Sequence, residues 1–375
     1  MKILFLIDQV YLHGGIERVL SIKANYLSKH KHGDIYITTT SQKGKAPCYE
    51  FHKDITFYDL NIDYNRNKSY FHPSNLLKIP KHIRRLKKAI RTITPDIIVV
   101  CSHSTDTYFV PFIHKRIPKI KEFHYSKILD ERKKKKEKNS IKGLFLKFAE
   151  YVEKQYDHLI VLNRDELQYY TSDNTVVIPN PLTFFPEGKA SLTNKIAITA
   201  GRIAPVKGYD TLIDIWKLVY QEHPDWVLQI YGTGEQVYMG YLKDKIEDEK
   251  LEDAVKLCGT TNQISNKMLE SSLYLMSSHN ECFPLVLLEA QSCGLPIVSF
   301  DCPHGPRNII EENTGCLVTP MDIDKYAHQV KKLMSDHSKR VFLGIHARNN
   351  AKNYTEDKVM VMWIRLFEKT IAEKQ

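Results

Sequence analysis

Short apolar runs alternate with longer amphipathic stretches along most of the chain. The runs fall at residues 3–7, 35–40, 97–101, 119–123, 159–162 and 176–178, and again at 196–200, 227–231, 255–257, 273–276, 297–300 and 316–318. Near-continuous apolar runs of this length mark parallel strands buried on both faces. The intervals between them are long enough for helices, and repeated β-α-β order implies parallel sheets with helices on both sides. Twelve strands are too many for one ordinary doubly wound sheet, whereas two sheets of about six suit the 375 residues. The break is expected within Asn180-Pro181-Leu182-Thr183-Phe184-Phe185-Pro186-Glu187-Gly188, where two prolines and a glycine interrupt both patterns. The prediction is an α/β chain of two doubly wound, Rossmann-like domains, 1–183 and 184–352, followed by a last helix at 353–375. Thr355 is its expected N-cap, with Glu356 and Asp357 in the first turn. Val359, Met360, Met362, Trp363, Leu366 and Phe367 form its expected buried face.

Composition keeps the chain among ordinary globular proteins, at 42% hydrophobic and 26% charged residues. No run reaches the roughly 18 apolar residues of a spanning helix. The opening Met1-Lys2-Ile3-Leu4-Phe5-Leu6-Ile7 stops at Asp8 with no small-residue cleavage site after it, so it reads as a first strand and not a signal peptide. Seven scattered cysteines without C-x-x-C spacing fit reduced thiols, and a cytoplasmic location is expected. Charge changes the picture more. Residues 1–182 hold 32 Lys and Arg against 19 Asp and Glu, a net +13, and the remainder is net −3. The excess is densest from Lys127 to Lys147, around Arg132-Lys133-Lys134-Lys135-Lys136. Such a patch suits nucleic acid or an anionic membrane surface, and otherwise is a solvated loop and helix face. With Ile141, Leu144, Phe145 and Phe148 nearby, it is expected to lie peripherally on an anionic leaflet.

Candidate chemistry concentrates in the second half. In Glu281-Cys282-Phe283-Pro284-Leu285-Val286-Leu287-Leu288-Glu289-Ala290, Pro284 fits the first turn of a helix and Gly294 the residue just past its end. Glu281 then lies on the loop before the helix, and Glu289 about one and a half turns inside it. The free N–H groups near Phe283 and Leu285 form an anion site, and carboxylates bind sugar hydroxyls well because each oxygen accepts hydrogen bonds. An anion site flanked by two carboxylates suits a nucleoside diphosphate sugar. A second loop, Gly201-Arg202-Ile203-Ala204-Pro205-Val206-Lys207-Gly208, carries two cations at a strand's carboxyl end, where ligands bind in open α/β sheets. Arg202 and Lys207 there would stabilise a leaving diphosphate. Tyr231-Gly232-Thr233-Gly234-Glu235 is a glycine turn, and Leu257-Cys258-Gly259-Thr260 the next strand end. In the first half, Gly14-Gly15-Ile16-Glu17-Arg18 opens a helix after the first strand, and paired glycines let backbone approach a ligand closely. His103 and His124 each follow a strand.

The stretch from Glu281 to Val298 resembles the Glu-x7-Glu motif of the retaining glycosyltransferases of family four, which have the GT-B fold. Cys282 stands where Gly or Ala is more usual. Gly201 to Gly208 resembles that family's Gly-Arg-x4-Lys-Gly signature, and Gly14-Gly15-Ile16-Glu17 its Gly-Gly-x-Glu loop. The resemblance is densest from 195 to 319 and thinnest from 41 to 154. It implies two facing domains, the first for acceptor and the second for donor, with the last helix returning to the first. It implies that Glu281 contacts the donor sugar hydroxyls, Glu289 the ribose, and His124 the surroundings of the reacting carbon. By the same resemblance Gly14, Gly15, Gly201, Gly232, Gly234, Gly259, Phe283, Pro284 and Leu285 lie along the donor. The expected reaction is retaining transfer of Gal, GalNAc, GlcNAc or Glc from a UDP-sugar to a glycan or polyprenyl-diphosphate-linked acceptor in surface polysaccharide synthesis. No cofactor or metal is expected. Asp301-Cys302-Pro303-His304-Gly305-Pro306-Arg307-Asn308-Ile309-Ile310 resembles a Gly-Pro-x-Glu-Ile-Ile segment of surface-polysaccharide transferases, with Asn308 in place of the usual Glu. Asp322-Ile323-Asp324 has a metal-binding spacing, but helix N-terminal acids explain it. The competing reading is a nucleic-acid-binding Rossmann-like protein using the basic first half. Against it, the Glu281 and Glu289 pair would repel phosphates.

Overall fold

The computed structural model describes residues 1–69, 72–101, 103–128 and 141–374. The chain divides into two compact units, Met1–Pro181 joined by the stretch from Glu356 on, and Leu182–Thr355. Leu182 and Thr183 thus fall in the second unit. The Leu182 N–H donates to the Tyr354 carbonyl at 2.7 Å, and the Thr183 hydroxyl donates to Glu289 at 2.6 Å.

Among the described residues the first unit holds β1 (Lys2–Ile7), β2 (Asp34–Thr39), β3 (Thr56–Asp59), β4 (Ile97–Val100), β5 (Lys119–Glu122), β6 (His158–Val161) and β7 (Thr175–Val177). They form one parallel sheet in the order β3-β2-β1-β4-β5-β6-β7. The order reverses at β1, which is the topological switch point of a doubly wound sheet. Strand β1 shows why its sequence is continuously apolar. Ile3, Phe5 and Ile7 pack on one face with Leu20, Ala24 and Leu27 of the helix Gly15–Lys29, while Leu4 and Leu6 pack on the other with Leu86 and Ile90 of the helix Ile79–Ile93. Successive side chains point to opposite faces, and both faces are covered.

The second unit holds β8 (Ile196–Ala200), β9 (Val227–Tyr231), β10 (Val255–Gly259), β11 (Leu273–Met276), β12 (Ile297–Phe300) and β13 (Gly315–Val318), in the parallel order β10-β9-β8-β11-β12-β13. Its core gathers Trp216, Leu228, Ile230, Leu275, Val298 and Tyr326.

Three expectations change. Strand β3 was absent from the apolar reading because it pairs only with β2 at the sheet edge and is half-exposed, so its sequence Thr-Phe-Tyr-Asp carries no apolar run. Strand β5 is buried but not apolar: Lys119, Lys121 and Glu122 are all inside. The last helix, Glu356–Lys374, packs Val359, Met360, Trp363, Leu366 and Phe367 into the first unit's core, but Met362 is 40% exposed. At 3.6 residues per turn Met362 points away from the stripe set by 359, 363, 366 and 367.

Candidate active site

In the second unit the loops after β8 and β9 run together. The Gly201 N–H donates to the Tyr231 carbonyl at 3.0 Å and the Ile203 N–H to Thr233 at 2.8 Å, and Ile203 bridges to Gly234. The pairing of the two strands therefore continues past their ends. A Cβ at Gly232 would lie 1.9 Å from the Gly201 carbonyl oxygen, and one at Gly234 1.8 Å from that of Ile203. Both positions require glycine for this close approach, whatever binds beside them. The Gly232 N–H donates to the Gly259 carbonyl at 2.7 Å, which ties β10 to the same brace.

The loop then makes a turn at Pro205–Lys207 and is anchored on the segment after β11. Gly208 has φ +63°, and a Cβ there would meet the Ser277 carbonyl at 2.4 Å. The Ser277 hydroxyl donates to the Lys207 carbonyl at 3.1 Å, and the His279 N–H to Val206 at 2.9 Å. So held, the Lys207 ammonium pairs with the Glu281 carboxylate at 2.6 Å, with both side chains partly exposed. Glu281 is itself fixed by a backbone bridge to His304. Gly305 must be small there, since a Cβ would sit 2.7 Å from that of Glu281. The buried Cys302 thiol nearby is pushed up to about 12 by burial and by Glu281, against the opposing pull of Lys207. Arg202 is placed differently. It is exposed, makes no ion pair among the described residues, and lines a cavity of about 490 Å³ with Pro205, Glu235, Val237, Tyr238 and Tyr241.

The helix after Glu281 runs Leu285–Ser292. Pro284 has an extended backbone and occupies the N-cap, one position before the first turn expected for it. Gly294, with φ +78°, follows the C-cap as expected. The Leu287 N–H donates to the Pro284 carbonyl at 3.0 Å, while the N–H groups of Leu285 and Val286 have no acceptor within the helix. Phe283 is buried against Tyr354 at 5.8 Å between ring centroids. Glu289 is also buried, with one oxygen on the Thr183 hydroxyl.

In the first unit, Gly14 precedes the helix Gly15–Lys29, and a Cβ on it would overlap the Glu17 carboxylate, 2.2 Å away. That carboxylate accepts from Gln9 Nε2 at 2.5 Å, and burial raises its pKa. Gly15 has open space around it. His124 Nε2 lies 3.0 Å from Glu122 Oε2, whose other oxygen meets the Lys23 ammonium at 2.5 Å. The His103 ring stacks on Phe123 and meets Tyr125 and His124 edge to face, with its buried Nε2 unpartnered. Burial holds the His103 ring well below the usual histidine range.

Sequence reasoning missed Lys23, Thr183 and Ser277 as parts of these sites, because each acts through a partner far along the chain. Glu122 left one signal, a charge inside a strand otherwise read as buried.

The Asp322 carboxylate accepts from the Lys325 N–H at 3.1 Å and caps the helix Ile323–Ser335, as read from its position. The heart of the basic run, 129–140, and the side chain of Ile141 lie outside the described residues. Lys127 at its edge is no surface cation: it is buried, pairs with Glu153 at 2.5 Å and sits over the Tyr170 ring. No helix among the described residues is long and apolar enough to cross a membrane.

Residues 183–352 match the family model described as glycosyl transferases group 1. An uncharacterized glycosyltransferase of Haemophilus influenzae is 28% identical over 369 residues, covering 96% of this chain and 98% of that one. The amylovoran biosynthesis glycosyltransferase AmsD of Erwinia amylovora is 26% identical over 386 residues, with 96% and 98% covered. The solved structure of S. aureus TarM, in complex with fondaparinux, alpha-GlcNAc-glycerol and UDP, matches with TM-score 0.76 at 17% identity over 98% of this chain and 99% of that one. The second unit thus matches the glycosyl transferases group 1 model, the chain is similar to glycosyltransferases over nearly its whole length, and its architecture is that of GT-B glycosyltransferases.

Proposed function

We propose that this protein is a glycosyltransferase that moves a hexose from a UDP-sugar to a glycan or lipid-linked acceptor of polysaccharide synthesis, with retention at the transferred carbon. The observation that carries the reading is the 2.6 Å pair between Lys207 and Glu281. It places a cation and a carboxylate at one point, beside the first turn of a helix that holds a second carboxylate, Glu289. A donor diphosphate would take the Lys207 ammonium and the unpaired Arg202 guanidinium, the charges assigned to the leaving group in place of a metal. Glu281, released from Lys207, would accept from sugar hydroxyls, and Glu289 from the ribose. The open space at Gly15 suits close approach by phosphate or acceptor, and His124 is the first unit's polar group for the reacting sugar. Two findings on other proteins support the reading: TarM was solved with UDP, in line with the donor class, and AmsD is named for amylovoran biosynthesis, in line with the acceptor class.

The test is protection against thermal unfolding by a panel of UDP- and GDP-sugars with free UDP and GDP. A ligand at 100 times its dissociation constant adds about 2.7 kcal/mol of stability. A shift with one UDP-sugar supports the reading and names the donor; a shift with GDP-sugars alone, or with none, removes it.

The membrane reading rests on the helix Ile141–Glu153, where Leu144, Phe148 and Tyr151 form an exposed apolar stripe at i, i+4, i+7 spacing. Pelleting with anionic but not neutral vesicles is the expected result, and equal binding to both, or none, refutes it.

A further inference from the structure

The pair beneath His124 points to a residue with a positioning role that nothing above has used. Glu122 is fully buried in β5, and its two oxygens face different basic partners. Oε1 meets the Lys23 ammonium at 2.5 Å, and Oε2 meets His124 Nε2 at 3.0 Å. Lys23 is 2% exposed, lies on the helix Gly15–Lys29, and is covered by the Trp363 ring of the last helix, 4.3 Å from ammonium to centroid. Its contacts therefore hold it in one place.

A carboxylate only accepts hydrogen bonds, so the ring nitrogen facing it must be the donor. His124 Nδ1 makes no hydrogen bond with any described residue. An unbalanced buried carboxylate would draw a second proton onto such a ring. Glu122 is not unbalanced, because Lys23 already neutralises it. The other groups facing the ring and its partner do not favour an imidazolium either. The buried Lys121 ammonium donates to the Glu122 main-chain carbonyl at 3.0 Å, the Cys101 thiol sits 3.4 Å from Glu122 Oε1, and the His103 ring centroid is 6.4 Å from that of His124. Asp106, the opposite charge near Lys121, is acting on that lysine.

We propose that Glu122, clamped by Lys23, is a positioning residue that puts the ring proton of His124 on Nε2 and leaves its Nδ1 lone pair as the acceptor for a substrate hydroxyl. This deepens the reading of His124 given above and rests on it for the hydroxyl alone. The geometry of the trio stands by itself. Burial lowers the His124 pKa in the same sense, outweighing the opposing pull of Glu122.

The experiment is ¹⁵N spectroscopy of histidine-labelled full-length protein between pH 6 and 8, with His124 assigned from its loss in His124→Gln. The expected spectrum has a protonated Nε2 and an unprotonated Nδ1. In Lys23→Met the carboxylate loses its neutralising partner, so the His124 pKa should rise by at least about one unit. The acid limb of kcat should move up with it, while KM for the donor stays near wild type. A proton on Nδ1 in the wild-type protein overturns the proposal, as does a Lys23→Met variant with unchanged His124 titration. The wild-type spectrum decides even if that variant fails to fold. Full turnover by His124→Gln, with the expected wild-type spectrum, would instead remove the functional reading of His124 and leave the positioning intact.

Discussion

At Gly234 a methyl group would lie 1.8 Å from a carbonyl oxygen, and at Gly15 it would touch nothing within 4 Å. Glycine therefore serves a different purpose at each of these positions, and substitution separates them. Gly234→Ala should cost the second unit about 1–3 kcal/mol by overpacking, read from urea denaturation. Gly15→Ala should stay within about 0.5 kcal/mol, so any loss of activity there reports ligand approach. Equal stability of the two variants would mean that the brace between the loops is not tight. Lys207→Ala should lower kcat/KM by about 2–3 kcal/mol of transition-state stabilisation, and near wild-type turnover in a steady-state assay would remove its leaving-group role. His82 carries a pH prediction. It is buried beside Tyr64, and burial lowers its pKa from 6.5 to about 4. The unfolded chain then binds more protons between those values, so the stability that rests on a neutral His82 is full above pH 6.5 and is lost as pH falls toward 4, by about 3 kcal/mol in total. His82→Asn should flatten that slope in denaturation curves taken from pH 7 to 4; an unchanged slope would place the acid sensitivity elsewhere.

Elements were legible where burial is the same on both faces. Strand β1 and the central strands β11 and β12 of the second unit announce themselves as apolar runs because both of their faces are buried. Strand β3 did not, because an edge strand with half-exposed side chains has no such run. Strand β5 shows the converse, charges in a buried strand, where Glu122 pairs with Lys23 brought in from the helix Gly15–Lys29 as well as with His124 just past the strand. The last helix was read correctly as amphipathic, but the sequence made its apolar face too broad by counting Met362. Trp363 is 2% exposed and packs on Phe367 and Lys23, so Trp363→Ala should destabilise the first unit by about 3–5 kcal/mol. Met362→Ala should change stability by no more than about 0.5 kcal/mol. Chemical denaturation followed by circular dichroism distinguishes them, and comparable losses would contradict the observed face.

The first unit is discontinuous in the chain, since its core takes Val359, Met360, Trp363, Leu366 and Phe367 from beyond the second unit. A fragment of residues 1–181 would expose the sheet and helix surface that these side chains cover, and aggregation is the expected result. Residues 182–355 hold a complete sheet and core and should fold alone. Fusing residues 356–374 to the first fragment should restore solubility and near-ultraviolet circular dichroism. A soluble, cooperatively folding 1–181 would show that the last helix is dispensable to that core.

The sequence by itself determined the two-sheet α/β architecture, the glycine turns at the strand ends and the helix bounded by Pro284 and Gly294, because local periodicity, backbone restriction and burial on both faces leave their mark on neighbouring residues. It also brought Glu281, Glu289, Arg202 and Lys207 forward as a group, by spacing and by family resemblance. Only the tertiary structure decided which charges meet: Lys207 with Glu281, Glu289 with Thr183, Lys23 with Glu122, and Arg202 unpaired beside a cavity. Those partners are separated by 74, 106 and 99 residues. A pattern that repeats every two or four residues holds no information about them, since such pairs exist only once the sheets and their connecting loops have closed.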